Sequence, residues 1–127
     1  METNDNRVIY RNLSYHIIQC AMEVHNILGP GYPERIYEEA LVREFGKGGI
    51  SFERQKQIEL SYKGEKIGDF WLDLVVEEKI VVELKAVSEL SDVFEAQVLS
   101  YLKATGLKLG LIINFGGKRL EYKRLIN

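Results

Sequence analysis

The run Lys79-Ile80-Val81-Val82-Glu83-Leu84-Lys85-Ala86-Val87 constrains this chain more than any other segment. It reads as a β-strand apolar enough to be buried. Glu83 and Lys85 interrupt it, and an unpaired charge in an apolar interior costs several kcal/mol. The strand must therefore either pair these charges or present them to something that compensates them. Asp73 stands ten residues before Glu83, near the end of the preceding apolar segment.

The rest of the chain frames this strand. Asn6 or Asn12 is placed to cap a first helix, with Leu13, Ile17, Cys20, Val24 and Ile27 as its apolar stripe, and Gly29-Pro30-Gly31 stops it. Pro33 suits the first turn of a second helix carrying Ile36, Tyr37, Ala40, Leu41 and Phe45 and ending at Gly46 or Gly48. Ile50, Phe52, Ile58, Leu60 and Tyr62 share one parity of a half-buried strand, with Gln55, Gln57 and Glu59 on the other face. Lys63-Gly64 marks a turn, and two further strands cover about 67–76 and 80–87. Ser88 or Ser91 caps a third helix, which carries Leu90, Phe94, Val98 and Leu102 and stops at Gly106. Strands at about 107–114 and 120–126 follow, with Gly116-Gly117 between them. The order is ααβββαββ. The third strand, third helix and fourth strand form a right-handed βαβ crossover, so those two strands are expected to be parallel. The class is α/β: a mixed sheet with helices on both faces.

At 127 residues the chain is expected to be one domain, with residues 1–6 a flexible polar tail. No apolar run approaches membrane-spanning length. The single Cys20 allows no internal disulfide and fits a cytoplasmic setting. His16 and His25 lack metal-ligand spacing. The net charge of −2 is unusual for a protein that grips many phosphates. Lys103, Lys108, Lys118, Arg119, Lys123 and Arg124 gather near the end of the chain, either as a phosphate-facing patch or as a solvated surface.

Alternation puts Glu83 and Lys85 on one face of their strand, about 6.5–7 Å apart. A two-residue loop, Glu77-Glu78, would set Asp73 opposite Val82. A three-residue loop, Glu77-Glu78-Lys79, would set it opposite Glu83. Glu-Glu is a poor two-residue hairpin turn, so the second register, or a bulge restoring it, is expected. Two carboxylates and a backbone carbonyl would then make a hard oxygen site for Mg²⁺ or Mn²⁺, with Lys85 beside an attacking water. The alternative is a buried ion pair without chemistry. Gln97 and Tyr101, four apart on the third helix, can hydrogen-bond Lys85 or a phosphate, or can be ordinary surface residues. Glu34 either complements a helix dipole or adds a carboxylate.

Gly31-Tyr32-Pro33-Glu34-Arg35-Ile36-Tyr37 resembles the signature of the GxxExxY family of small bacterial and archaeal proteins. Val24-His25, Leu28-Gly29-Pro30-Gly31, Gln55, Tyr62, Asp73-Leu74-Val75-Val76, Val82-Glu83-Leu84-Lys85-Ala86-Val87, Gln97-Val98-Leu99-Ser100-Tyr101-Leu102 and Gly110-Leu111-Ile112-Ile113-Asn114-Phe115-Gly116 resemble its other blocks, over about residues 10–125. That family is placed among PD-(D/E)XK nuclease-like proteins. The resemblance implies a restriction-endonuclease-like α/β/α sandwich, with Asp73 and Glu83 as metal ligands and Lys85 as the catalytic lysine. It also implies a Gln97/Tyr101 pair like that of RecB-type members and Glu34 as the first-helix acid. One departure is that Leu72, and no proline, precedes Asp73.

The function expected is Mg²⁺- or Mn²⁺-dependent phosphodiester hydrolysis in nucleic acid, DNA first. Asp73, Glu83, the Leu84 carbonyl and Glu34 would hold the metal, and Lys85, Gln97 and Tyr101 would assist. A homodimer or protein partner would supply grip that the acidic chain lacks. The alternatives are a non-catalytic module on a nuclease fold and a structure-specific nucleic-acid-binding protein.

Overall fold

The computed structural model describes residues 9–127. The polar stretch 1–6, including the candidate cap Asn6, lies outside them. The elements are α1 (Arg11–Leu28), α2 (Glu34–Gly48), β1 (Phe52–Tyr62), β2 (Glu65–Val76), β3 (Ile80–Lys85), α3 (Asp92–Thr105), β4 (Leu109–Asn114) and β5 (Glu121–Ile126). The order ααβββαββ is the one expected. One five-stranded sheet runs β1-β2-β3-β4-β5. Only β3 and β4 pair in parallel, and α3 is their crossover. This is a mixed sheet in the restriction-endonuclease-like α/β arrangement.

Two apolar clusters show which layer lies where. Leu74, Val76, Ile80, Val82, Leu84, Leu109, Leu111 and Ile113 pack with α1 and α2 on one face. Leu72, Val75, Val81 and Ile112 pack with Val98 and Leu102 of α3 on the other. A Cβ at Gly110 would lie 2.6 Å from Val98 Cγ1, so the glycine lets α3 press close to the centre of the sheet.

Details of the helices differ from the pattern read in the sequence. Asn12 does not cap α1. It lies within the first turn, after Tyr10, which is left-handed at φ 50° and provides no side-chain cap. The buried residues of α1 are Ser14, Ile17, Ile18, Ala21, Val24 and His25, Leu13 and Cys20 pack half-buried against the same core, and Ile27 is 71% exposed. Polar anchors explain why Ser14 and His25 face inward. Arg124 of β5 donates to Ser14 Oγ (2.7 Å) and to the Ile9 carbonyl (2.9 Å), and His25 Nε2 lies 2.9 Å from the Gly117 carbonyl oxygen. Pro33 precedes α2 as its N-cap, and Gly49 closes it at φ 71°. Ser91 is the N-cap of α3 by backbone conformation alone, and Gly106 closes that helix.

The first strand also departs from simple alternation. Phe52 packs on the α1/α2 side and Ile58 on the α3 side, although their positions have the same parity. The cause is Gln55, left-handed at φ 47°. Pairing continues around it without a shift, from Arg54↔Leu74 to Lys56↔Leu72. On β2 the same rung separates Leu72, facing α3, from Leu74, facing α1 and α2. Both strands therefore exchange faces at one level, and Asp73 sits there.

Candidate active site

The β2–β3 hairpin fixes the relation between the two acids. Val76 pairs with Ile80, leaving Glu77-Glu78-Lys79 as the loop. Glu77 and Glu78 are both left-handed, at φ 53° and 57°, as in a primed two-residue turn to which Lys79 adds one residue. Glutamate is strained there. Ser51 compensates: its N–H and hydroxyl each donate to Glu77 Oε2 at 2.6 Å. These bonds, the hydroxyl's first, pull the Glu77 carboxyl below its usual range. Pairing proceeds through Val75↔Val81 to Leu74↔Val82, so the next rung brings Asp73 beside Glu83.

Side chains then replace the ladder. Glu83 Oε1 accepts from the Asp73 N–H at 3.1 Å, and Asp73 Oδ2 accepts from the Leu84 N–H at 2.9 Å. The Leu84 amide therefore points toward β2. Strand geometry sends the carbonyl of the same residue out on that side, beyond the last paired rung. Two carboxylates and one backbone carbonyl meet where the strands part.

The electrostatics reflect crowding of like charge. Glu83 is only 4% exposed. Burial, then the neighbouring Asp73 carboxylate, pushes its carboxyl from 4.5 to about 8, against the Asp73 N–H and Lys85. Glu34, in the first turn of α2, is also raised, by partial desolvation first and then by Asp73, with Lys85 opposing. The residue as a whole is exposed, so water moderates this effect. The Tyr101 phenol is raised by desolvation and then by Glu83 and Asp73, which places it within their field. Its ring stacks on Phe70 at 4.9 Å. Lys85 Nζ rests over the Phe94 ring at 4.6 Å. Gln97 lies one turn before Tyr101, exposed and without a hydrogen bond to the acids. Thus Asp73, Glu83, Leu84, Lys85, Tyr101 and Glu34 come together, whereas Gln97 stands at the margin.

This donor set fits a hard divalent cation, which takes one or two carboxylates and completes its shell with water and phosphate. Among the described residues no three His, Cys, Asp or Glu side chains form a metal cluster. The sequence profile of the PD-(D/E)XK nuclease superfamily matches residues 11–125. The chain belongs to the PD-(D/E)XK nuclease superfamily. No curated protein and no solved structure matches it. Membership carries a nuclease-type function and a nucleic-acid substrate, and PD-(D/E)XK nucleases are generally divalent-metal dependent. No helix among the described residues is long and apolar enough to cross a membrane.

Two residues that stand in the quoted sequence blocks without a role there support this PD-(D/E)XK domain. Asn114 is fully buried opposite Lys85. Its Oδ1 accepts from the N–H groups of Val87 (2.9 Å) and Gly116 (3.0 Å), and its Nδ2 donates to the Val87 carbonyl (2.9 Å) and to Glu121 Oε1 (2.8 Å). It clamps the chain as it leaves Lys85. A polar residue closing the apolar run Leu109–Asn114 was the available signal. Tyr37 is the second. Its hydroxyl donates to the Gly29 carbonyl (2.6 Å) and accepts from the Tyr32 N–H (3.2 Å), while its ring stacks on Phe115 at 4.6 Å. It ties down the loop that leads into Glu34 at the start of α2. The C-terminal basic residues do not form one patch. Lys123 pairs with Glu95 of α3 at 2.9 Å, whereas Arg124 serves α1 on the opposite face.

Proposed function

We propose that this protein hydrolyses phosphodiester bonds in nucleic acid, with DNA the first candidate, using Mg²⁺ or Mn²⁺ held by Asp73, Glu83 and the Leu84 carbonyl, with Glu34 contributing through water. The observation that carries this reading is the Asp73–Glu83 pair. Two carboxyls held together at the parting of two strands leave Glu83 protonated near neutrality, a cost that a divalent cation removes. When bound, such a cation supplies charge neutralisation at phosphate and a lowered pKa for the attacking water.

The chain's own residues account for the remainder. Lys85 is a single positive charge on the acidic face, resting on Phe94 and free to swing toward water or a phosphoryl oxygen. Tyr101, its phenol raised by burial and then by its acidic neighbours, donates a hydrogen bond toward the same region. Gln97 gives a further amide at the mouth. Tyr37 and Asn114 are positioning residues for Glu34 and Lys85. The same Gly31, Glu34 and Tyr37 unit supports placement in the GxxExxY group. The 127 residues act as one nuclease domain in a cytoplasmic setting, consistent with the lone Cys20. Because Lys123 and Arg124 are already engaged and the net charge is −2, a second copy or a protein partner supplies part of the grip.

A cleavage panel over single strands, duplexes, junctions and RNA, with Mg²⁺ and with Mn²⁺, tests this. Metal-dependent cutting that disappears in Lys85→Ala is expected. Failure of both metals on every substrate, or an unchanged Lys85→Ala, refutes it.

A further inference from the structure

We infer that Trp71 is a stacking platform for an unpaired nucleobase beside the phosphodiester at Asp73 and Glu83, so that the substrate strand is single-stranded or frayed there. This inference rests on the nuclease reading above. Trp71 is the chain's one tryptophan and is 52% exposed. Indole is among the costliest side chains to leave in water. Its neighbours Phe70 and Leu72 face α3 and are packed, so alternation turns Trp71 to the opposite face. There α2 is tied to β1 at Arg54 and Gln55 through Glu38, and the cover does not extend to Trp71. Among the described residues the Trp71 indole has no side-chain hydrogen bond, ring contact or cation–π partner.

Its surroundings suit a base better than a protein surface. Gln57 lies directly opposite, and Glu59↔Asp69 is the adjacent rung of that face. Asp69 is paired with Lys66 at 3.2 Å. An isolated indole with an amide alongside gives a stacking face and hydrogen-bonding groups for base edges. A protein interface would instead need contiguous apolar area. Tyr62 and Ile67, also exposed, lie farther out beside the Lys63-Gly64 turn. Trp71 is two residues from Asp73, about 6.5–7 Å along the strand, comparable to the spacing of neighbouring nucleotides in an extended strand; it lies on the face toward α2, from which Glu34 approaches Asp73, and across the strand from Lys85 and Tyr101. A base in a duplex has both faces covered, so an indole reaches one only where pairing and stacking are already broken.

Because Trp71 is the only tryptophan, its fluorescence reports directly on this surface. The full chain in EDTA, where no cleavage occurs, is titrated with a single-stranded oligonucleotide and with a blunt duplex. Quenching by the single strand, with Trp71→Ala weakening its binding roughly tenfold or more and Trp71→Phe restoring most of it, is the expected result. Tyr62→Ala serves as the exposed-aromatic control and binds like wild type. Metal-dependent cleavage with no quenching, and equal binding by Trp71→Ala, overturns the platform and leaves the nuclease reading intact. Quenching without cleavage of any substrate keeps the platform and removes the catalytic reading. A fluorescence change that follows protein concentration alone identifies self-association at Trp71 and also overturns it.

Discussion

Replacing Glu83 with glutamine should stabilise the metal-free protein above neutrality. In the unfolded chain this carboxyl ionises near 4.5, and in the folded protein near 8. Between those values the folded state holds a proton that the unfolded state has released, so stability falls as pH rises. The contribution is intact below the lower value and lost above the upper one. An interval of about 3.5 pH units, at about 1.4 kcal/mol each, sets a ceiling of about 5 kcal/mol. Sharing of the proton with Asp73 lowers the expected loss to on the order of 2–4 kcal/mol. Glutamine imitates the protonated acid: its oxygen can still accept from the Asp73 N–H, and its amide can donate toward the Asp73 carboxylate. Urea unfolding in EDTA at about pH 5, 7 and 8.5 measures the effect. Wild type should weaken across the series, while Glu83→Gln should stay nearly flat and become the more stable protein at the upper end. Millimolar Mg²⁺ should reverse that order by stabilising wild type alone. Parallel pH dependence in the two proteins would refute a protonated, buried Glu83.

The surrounding groups give three further tests. Asp73→Asn removes a charge that adds to the rise burial causes at both Glu83 and Tyr101. The Tyr101 phenol should then titrate at lower pH by ultraviolet absorbance, and the Mg²⁺-induced gain in thermal stability should vanish. Tyr37→Phe keeps the ring on Phe115 but loses both hydroxyl bonds, so urea unfolding should show a loss of about 1–2 kcal/mol. No loss would mean that water replaces the clasp. Gly116→Ala would place a Cβ 2.2 Å from the Val87 carbonyl oxygen and 2.4 Å from its nitrogen. Backbone must move to admit it, so thermal melting should reveal a loss of about 3 kcal/mol or more, and near-wild-type stability would contradict the close approach.

Much of this architecture could be read from periodicity and punctuation. Gly29 and Gly106 end α1 and α3 where expected, and the Ile80–Lys85 strand, its crossover helix and the Leu109–Asn114 strand pair in parallel. The hairpin register is the one expected, but turn preference alone does not produce it. Glu77 and Glu78 adopt the primed-turn backbone anyway, because Ser51 holds Glu77 from another part of the chain. Such nonlocal support leaves no trace in a local pattern. The face exchange at Gln55 is the same kind of omission: strict period-2 counting assigns Phe52 and Ile58 to one side, and one left-handed residue reverses it. In α1 the apolar stripe packs as expected except at Ile27, which is exposed, while Ser14 and His25 turn inward to meet Arg124 and Gly117, partners about a hundred residues away in sequence. At the site, charges in apolar strands were visible as anomalies. Tyr37 and Asn114 stand in the blocks that carry the family resemblance, but their roles are not legible there, since these lie in which backbone groups they satisfy.

The exchange of faces at Gln55 and Asp73 has a consequence in chain length. Phe52 and Ile58 are six positions apart, and Leu72 and Leu74 two, yet each pair points to opposite layers. A regular ribbon would achieve this with odd separations, one residue fewer in each strand. Gln55 and Asp73 occupy that surplus rung, matched across the pair. The fold alone could close more simply without them. Deleting both together should yield a straighter, better-paired hairpin with the same two cores and no site, whereas deleting either alone should throw one strand out of step with its neighbour. The acid proposed to hold the metal is thus a surplus residue carried by the sheet, and the sheet's tolerance for it is what makes room for the proposed chemistry.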